Sequence, residues 1–183
     1  MIKKILDSLL NIVLGTSAGV LIILLIISFY EENFSQWAQD RKVRAIYAQI
    51  IANTGQIQDT MPLVISEELV DNAYNDGEKI VIYRGLINHA HSWDEVALVL
   101  AHEVAHGMLW HLKMNAEGFT AYQISVLEGN ADKMGAVYMM KAGYDVCKGR
   151  ELFKYWREEK GNALGQSHPD FSYRYDELNI NCK

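Results

Sequence analysis

A chain of 183 residues has the size of one ordinary domain. Thirteen glycines and two prolines exclude collagen-like and proline-rich disordered classes, and two cysteines exclude a disulfide scaffold or a four-thiolate zinc site. A net charge of −6 excludes the broad basic footprint of a nucleic-acid binder, so no nucleic acid is expected among the partners.

Hydrophobic residues make up 50% of the chain, and the excess lies at the N-terminal end. Ser8–Tyr30 carries no charge, and Val20–Ile27 is an unbroken aliphatic run. Twenty-three residues in a helix suffice to cross a hydrocarbon layer of about 30 Å. The segment fits a retained anchor better than a cleaved signal peptide, because the run is long and no Ala-x-Ala pattern follows it. Lys3 and Lys4 precede it and Glu31 and Glu32 follow it, which places the N-terminus in the cytoplasm and the remainder on the extracytoplasmic side. We therefore expect an N-terminal membrane anchor at residues 1–30 and one folded domain at 31–183. That domain carries 15 basic and 22 acidic side chains (17 less Lys3 and Lys4, and 23 less Asp7), net −7, so charge alone does not draw it to anionic lipid.

Residues 31–53 show helical spacing in Phe34, Trp37, Val43, Ile46, Tyr47 and Ile50, stopped by Asn53-Thr54-Gly55. Leu63-Val64-Ile65 and Lys79–Tyr83 read as short strands. Asn75-Asp76-Gly77 marks a turn between them and suggests a small antiparallel sheet, with a helical turn at Glu67–Ala73. From Ser92 onward the pattern is mainly helical. The expected fold is α+β, mainly helical.

Ser92-Trp93-Asp94-Glu95 is a capping box that opens an apolar helix running into Ala101-His102-Glu103-Val104-Ala105-His106. His102 and His106, four apart, lie within about 40° on one helical face, one turn apart. Both imidazoles can then bind one ion, and Glu103 projects beside them where it can take a proton from a water. Zinc suits two imidazoles and a third protein ligand with one place left open. Two ordinary surface histidines fit less well, since unpartnered polar groups in so apolar a helix would cost a few kcal/mol. Downstream, Glu128 and Asp132 are again four apart in an apolar helical pattern. The economical assignment is Glu128 as third ligand and Asp132 as acceptor for the outer nitrogen of a ligand histidine. Taken alone, that pair would read as solvated carboxylates.

Several blocks, in this order and spacing, resemble the membrane-associated zinc peptidases of the M48 family, which includes CAAX prenyl proteases and HtpX-like and BepA-like proteins. They are Asp71-Asn72-Ala73-Tyr74, Ile80–Ile87, Asp94–His106, Glu128–Gly135, Ala142–Asp145, and His168-Pro169 with Arg174 six residues after the histidine. The resemblance implies a zincin-like (gluzincin) metallopeptidase domain. It implies one Zn2+ per chain at His102, His106 and Glu128, with Glu103 as general base and Asp132 behind a ligand. His168 and Arg174 match residues near the metal, as oxyanion partner, transient ligand or structural support. Ile80, Val81, Ile82 and Tyr83 match the edge strand on which an extended substrate backbone aligns.

The expected function is a membrane-anchored zinc metalloendopeptidase acting on unfolded or misassembled polypeptides. A dormant client-binding module on the same fold is the alternative. His89 and His91 read as solvated loop residues, and His111 lies about 140° round the helix from His106. Cys147 and Cys182 are either a disulfide or two free thiols. Tyr155, Trp156, Phe171, Tyr173 and Tyr175 read as packing around the domain, with some available to line a cleft.

Overall fold

The computed structural model describes residue 3 and residues 17–55, 61–109, 120–160 and 170–182. Two compact units divide the chain, Met1–Lys42 and Val43–Lys183. Helix α1, Ser17–Ala52, joins the apolar segment and the expected downstream helix into one element. Its Gly19–Ala52 stretch is long and apolar enough, by length and composition, to cross a membrane. Within the first unit, Val20, Leu21, Leu24, Leu25 and Phe29 of that helix are exposed. The proposed start of the span at Ser8 lies outside the described residues.

In the second unit, Val43, Ile46 and Ile50 at the end of α1 are fully buried. Their 3-4 spacing sets one apolar stripe against the core. Tyr47 donates to the carbonyl of Met61 at 2.5 Å, and burial raises its hydroxyl pKa to about 12. Strands β1 (Leu63–Ser66), β2 (Ala73–Asn75) and β3 (Ile80–Tyr83) form a sheet in the order β1-β3-β2. The Asn-Asp-Gly turn, with Gly77 at φ +91°, joins β2 to β3 as an antiparallel hairpin. Strand β1 pairs with β3 in parallel, with Leu63 opposite Ile80.

The sheet is therefore mixed, not antiparallel as expected. Three residues of β2 are too few to show a period, and the Asp-Gly turn joins β3 to β2 and not to β1. Ile80–Tyr83 is also not an edge strand. Its backbone is hydrogen-bonded on both sides, and Ile80, Val81 and Ile82 are buried, as an unbroken β-branched run indicates for a central strand.

The chain continues through α2 (Arg84–His89) into α3 (Trp93–Met108), and later α4 (Ala121–Lys141), α5 (Val146–Gly149), α6 (Glu151–Lys160), α7 (Phe171–Glu177) and a 3-10 turn at Leu178–Asn181. Ser92 caps α3 by accepting from the amide of Glu95, while the Glu95 carboxylate accepts from the His91 amide, one residue further back than a regular box. A full capping box, unforeseen, opens α4: Thr120 and Gln123 each accept the other's amide.

Helices α3 and α4 make the most extensive packing in the fold. They approach so closely at Gly135 that a Cβ there would lie 2.9 Å from the His102 amide nitrogen. Cys147 on α5 and Cys182 after the last turn form a disulfide, closing a sequence separation of 35 residues. That loop contains α7, and closing it stabilises the fold by about 3–4 kcal/mol in the chain-entropy account.

Gly135→Ala should lower unfolding stability by roughly 1–3 kcal/mol through overpacking against α3. Gly129→Ala, on the same helix with nothing within 4 Å of the added carbon, should be neutral or stabilising. Urea denaturation of both variants checks this.

Candidate metal centre

Helix α3 is almost wholly buried from Glu95 to His106. An imidazole placed there gives up water and must find partners inside the protein. His102 and His106, one turn apart, turn their Nε2 atoms toward each other at 3.0 Å. Glu128 on α4 reaches both: Oε2 is 3.4 Å from His102 Nε2, and Oε1 is 3.3 Å from His106 Nε2. These three donors lie within 4.8 Å of one another, a grouping that could hold a metal ion.

Behind His102, Asp132 lies one turn along α4 from Glu128. Its Oδ1 accepts from His102 Nδ1 at 2.8 Å, which turns Nε2 toward His106 and Glu128. Arg174 on α7 clamps the same carboxylate with two bonds, Nε to Oδ2 at 2.8 Å and Nη2 to Oδ1 at 2.5 Å. Arg174 Nη2 also lies 3.2 Å from His102 Nδ1. With the ring proton on Nδ1 donated to Asp132, that approach is proximity rather than a second bond. The other face of the guanidinium rests on Phe153, 4.3 Å from the ring centroid.

Burial alone would raise the pKa of Asp132, but Arg174 and then His102 outweigh it and hold the carboxyl well below the usual range. Burial and Arg174 pull His102 down, yet Asp132 and Glu128 more than offset them and push its pKa up to about 9. Three buried carboxylates, Glu103, Glu128 and Asp132, face one guanidinium; with neutral imidazoles the formal charge is −2. A divalent cation balances it.

Glu103 is buried beside the pair, and its backbone carbonyl accepts from Asn75 Nδ2 at 2.8 Å. The turn that joins β2 to β3 therefore also pins α3, with Asn75 Oδ1 accepting from the Gly77 amide at 2.9 Å. Asn75 was legible only as a turn residue, and its second contact depends on the sheet lying against α3.

Of the expected site residues, His102, His106, Glu103, Glu128, Asp132 and Arg174 converge. Ile80–Tyr83 does not face the site as a free edge. His168 and His111 lie outside the described residues. His89 pairs with Asp71 at 2.5 Å, and the His91 ring packs on Tyr155 at 4.7 Å, so neither joins the cluster. Aromatic side chains on α6 and α7 (Phe153, Trp156 and Phe171) line a cavity beside His102 and Glu103. Phe153 carried no signal of that place in the sequence.

A pKa raised from 6.5 to about 9 means the protonated ring stabilises the metal-free fold. That contribution is complete below about pH 6.5 and is lost as pH rises through about 9. Metal must displace that proton, so affinity should fall about tenfold per pH unit below 9, with about one proton released on binding near pH 7.5. Calorimetry in buffers of different ionisation enthalpy measures the release. Asp132→Asn should weaken metal binding roughly 10–100-fold.

Residues 37–129 match the profile of Peptidase family M48. The match takes in His102, Glu103, His106 and Glu128 and ends before Asp132 and Arg174. The mitochondrial metalloendopeptidase OMA1 of Arabidopsis thaliana is 29% identical over 140 residues, covering 58% of this chain and 28% of that protein. The chain thus aligns with little more than a quarter of this relative's length. With a match over half its residues, the chain belongs to the M48 family of metallopeptidases.

Proposed function

We propose that the protein is a membrane-anchored zinc endopeptidase whose ligands are His102, His106 and Glu128. The observation that carries this is the spacing of the three donors. One ligand atom from each residue lies within 4.8 Å of the others, the two Nε2 atoms are 3.0 Å apart, and the two Glu128 oxygens each lie 3.3–3.4 Å from one of them, a cluster that fits around an ion roughly 2 Å from each donor. The buried charge of the site and its nitrogen and oxygen donors suit zinc equally.

Zinc bound there would polarise a water and the carbonyl of the scissile bond. Glu103, buried beside it, accepts the proton of the attacking water and delivers it to the departing amine. Asp132 keeps the Nδ1 proton on His102, and Arg174 keeps Asp132 ionised and aimed. Arg174 therefore acts as a positioning residue and not as a direct partner of the oxyanion, because Asp132 and Phe153 occupy it.

The strand suited to substrate alignment is β2, Ala73–Asn75. It lies at the edge of the sheet, packs against α3, and adjoins the site through Asn75. An extended chain adding to that edge is recognised through its backbone, which favours unfolded polypeptide segments as substrates. The exposed apolar stretch of α1 supports anchoring in a membrane. The Cys147–Cys182 disulfide supports an oxidising compartment for the peptidase domain, in line with an extracytoplasmic placement.

Glu103→Gln in the full chain, purified in detergent, should bind zinc at one equivalent and cleave casein about 10²–10⁴-fold more slowly than the parent. Unchanged cleavage would remove Glu103 from its role. Absence of zinc in the parent would remove the ligand assignment.

A further inference from the structure

Asn75 ends strand β2, and its side chain makes two bonds in different directions. Its Oδ1 accepts from the Gly77 amide at 2.9 Å, within the turn, and its Nδ2 donates to the Glu103 carbonyl at 2.8 Å, on α3. By the helical repeat that carbonyl also serves the Gly107 amide, so Asn75 grips the turn of α3 that carries Glu103 and His106. Gly107 admits this contact: a Cβ there would crowd Met61 and lie 3.2 Å from Asn75 Nδ2.

The backbone of the same residue faces the other way. The Tyr83 amide donates to the Asn72 carbonyl, and the Asp76 amide donates to the Lys79 carbonyl. Antiparallel pairing alternates along a strand. Asn72, Tyr74 and Asp76 therefore turn their backbone groups to β3, and Ala73 and Asn75 turn theirs to the opposite side. Among the described residues the sheet ends there. A chain added to β2 would bond the backbone of Asn75 while the Asn75 side chain holds the Glu103 peptide. Only Cα, Cβ and Cγ of one residue separate the two sets of bonds.

We propose that Asn75 is a positioning residue of the peptidase, coupling occupation of β2 by an extended polypeptide to the placement of Glu103. The proposal rests on the peptidase reading and adds to it a requirement for substrates long enough to lie along β2. Binding energy from substrate residues remote from the cut then appears in kcat and not only in KM. In the parent, lengthening a peptide so that it spans β2 should raise kcat about 10–100-fold. Asn75→Asp keeps the acceptor for the Gly77 amide, and so the turn, but puts an oxygen where the donor to Glu103 was. In that variant lengthening should still lower KM and should leave kcat nearly unchanged. Asn75→Ala removes both bonds and should behave likewise, which keeps the test open if aspartate is not tolerated beside the carbonyl.

The experiment uses zinc-loaded full chain in detergent. Its substrates are a blocked tetrapeptide that contains the cut bond and the same sequence extended by about four residues on each side. Zinc content is measured in parallel. A second measurement needs no turnover: the extended peptide is added to Glu103→Gln chains, with and without Asn75→Asp, and amide exchange over residues 104–108 is followed by mass spectrometry. Exchange slowed about fivefold with Asn75 and unchanged with Asn75→Asp, together with loss of the kcat gain in the variants, supports the coupling. If the parent cleaves neither peptide, the peptidase reading has failed and the proposal falls with it. If the parent cleaves but the extension raises kcat in no chain, or equally in parent and variants, or if both variants lose zinc, the coupling alone is overturned and the peptidase reading stands.

Discussion

The site depends on how closely α3 and α4 can cross. Two imidazoles four residues apart can be arranged by one helix alone, but the third donor must come from elsewhere. Gly135, with no side chain against the His102 backbone, lets the second helix approach until Glu128 lies 3.3–3.4 Å from both rings. One turn further along α4, that same approach sets Asp132 against the outer nitrogen of His102. Glu128 and Asp132 are thus placed by a single packing contact, and their four-residue spacing follows from the helical repeat.

Close packing buries charge, which is costly unless it is compensated. Asp132 is nearly inaccessible, and leaving it alone there would favour its protonated form. Arg174 prevents this from a different helix, bonding both carboxylate oxygens while its own other face lies on Phe153. Such a buried pair is not by itself strong evidence of stability, since desolvation consumes much of the attraction. What it secures is direction: the carboxylate stays ionised, the histidine keeps its proton on the outer nitrogen, and the inner nitrogen faces His106 and Glu128. The residual negative charge suits the cluster to a divalent cation.

The site is supported from the rest of the domain by contacts of modest individual strength. Asn75, in the turn of the β2–β3 hairpin, holds the carbonyl of Glu103. The disulfide closes the segment that carries α7, and so limits how far Arg174 can stray from Asp132. The aromatic residues of α6 and α7 both support that arginine and shape the space beside Glu103.

Local patterns carried most of the chemistry into view. The pair His102 and His106, the intervening Glu103 and the Glu128–Asp132 spacing are periodic features within single helices, and the N-terminal apolar run is read from composition alone. A helix places its own residues regardless of what surrounds it. The apolar Ile-Val-Ile run marked β3 as a strand, and the Asp-Gly turn marked a hairpin. Which strands pair, and which strand lies at the edge, depended on chain segments distant in sequence. Three residues of β2 carry no pattern, so only the folded sheet shows that Ala73–Asn75 is an outer strand and Ile80–Tyr83 the central one. The convergence of α3, α4 and α7, the clamp of Arg174 on Asp132, and the aromatic cavity are likewise tertiary. Each depends on distances between elements, which are set by packing volumes and crossing points, and residue spacing along one chain does not encode them.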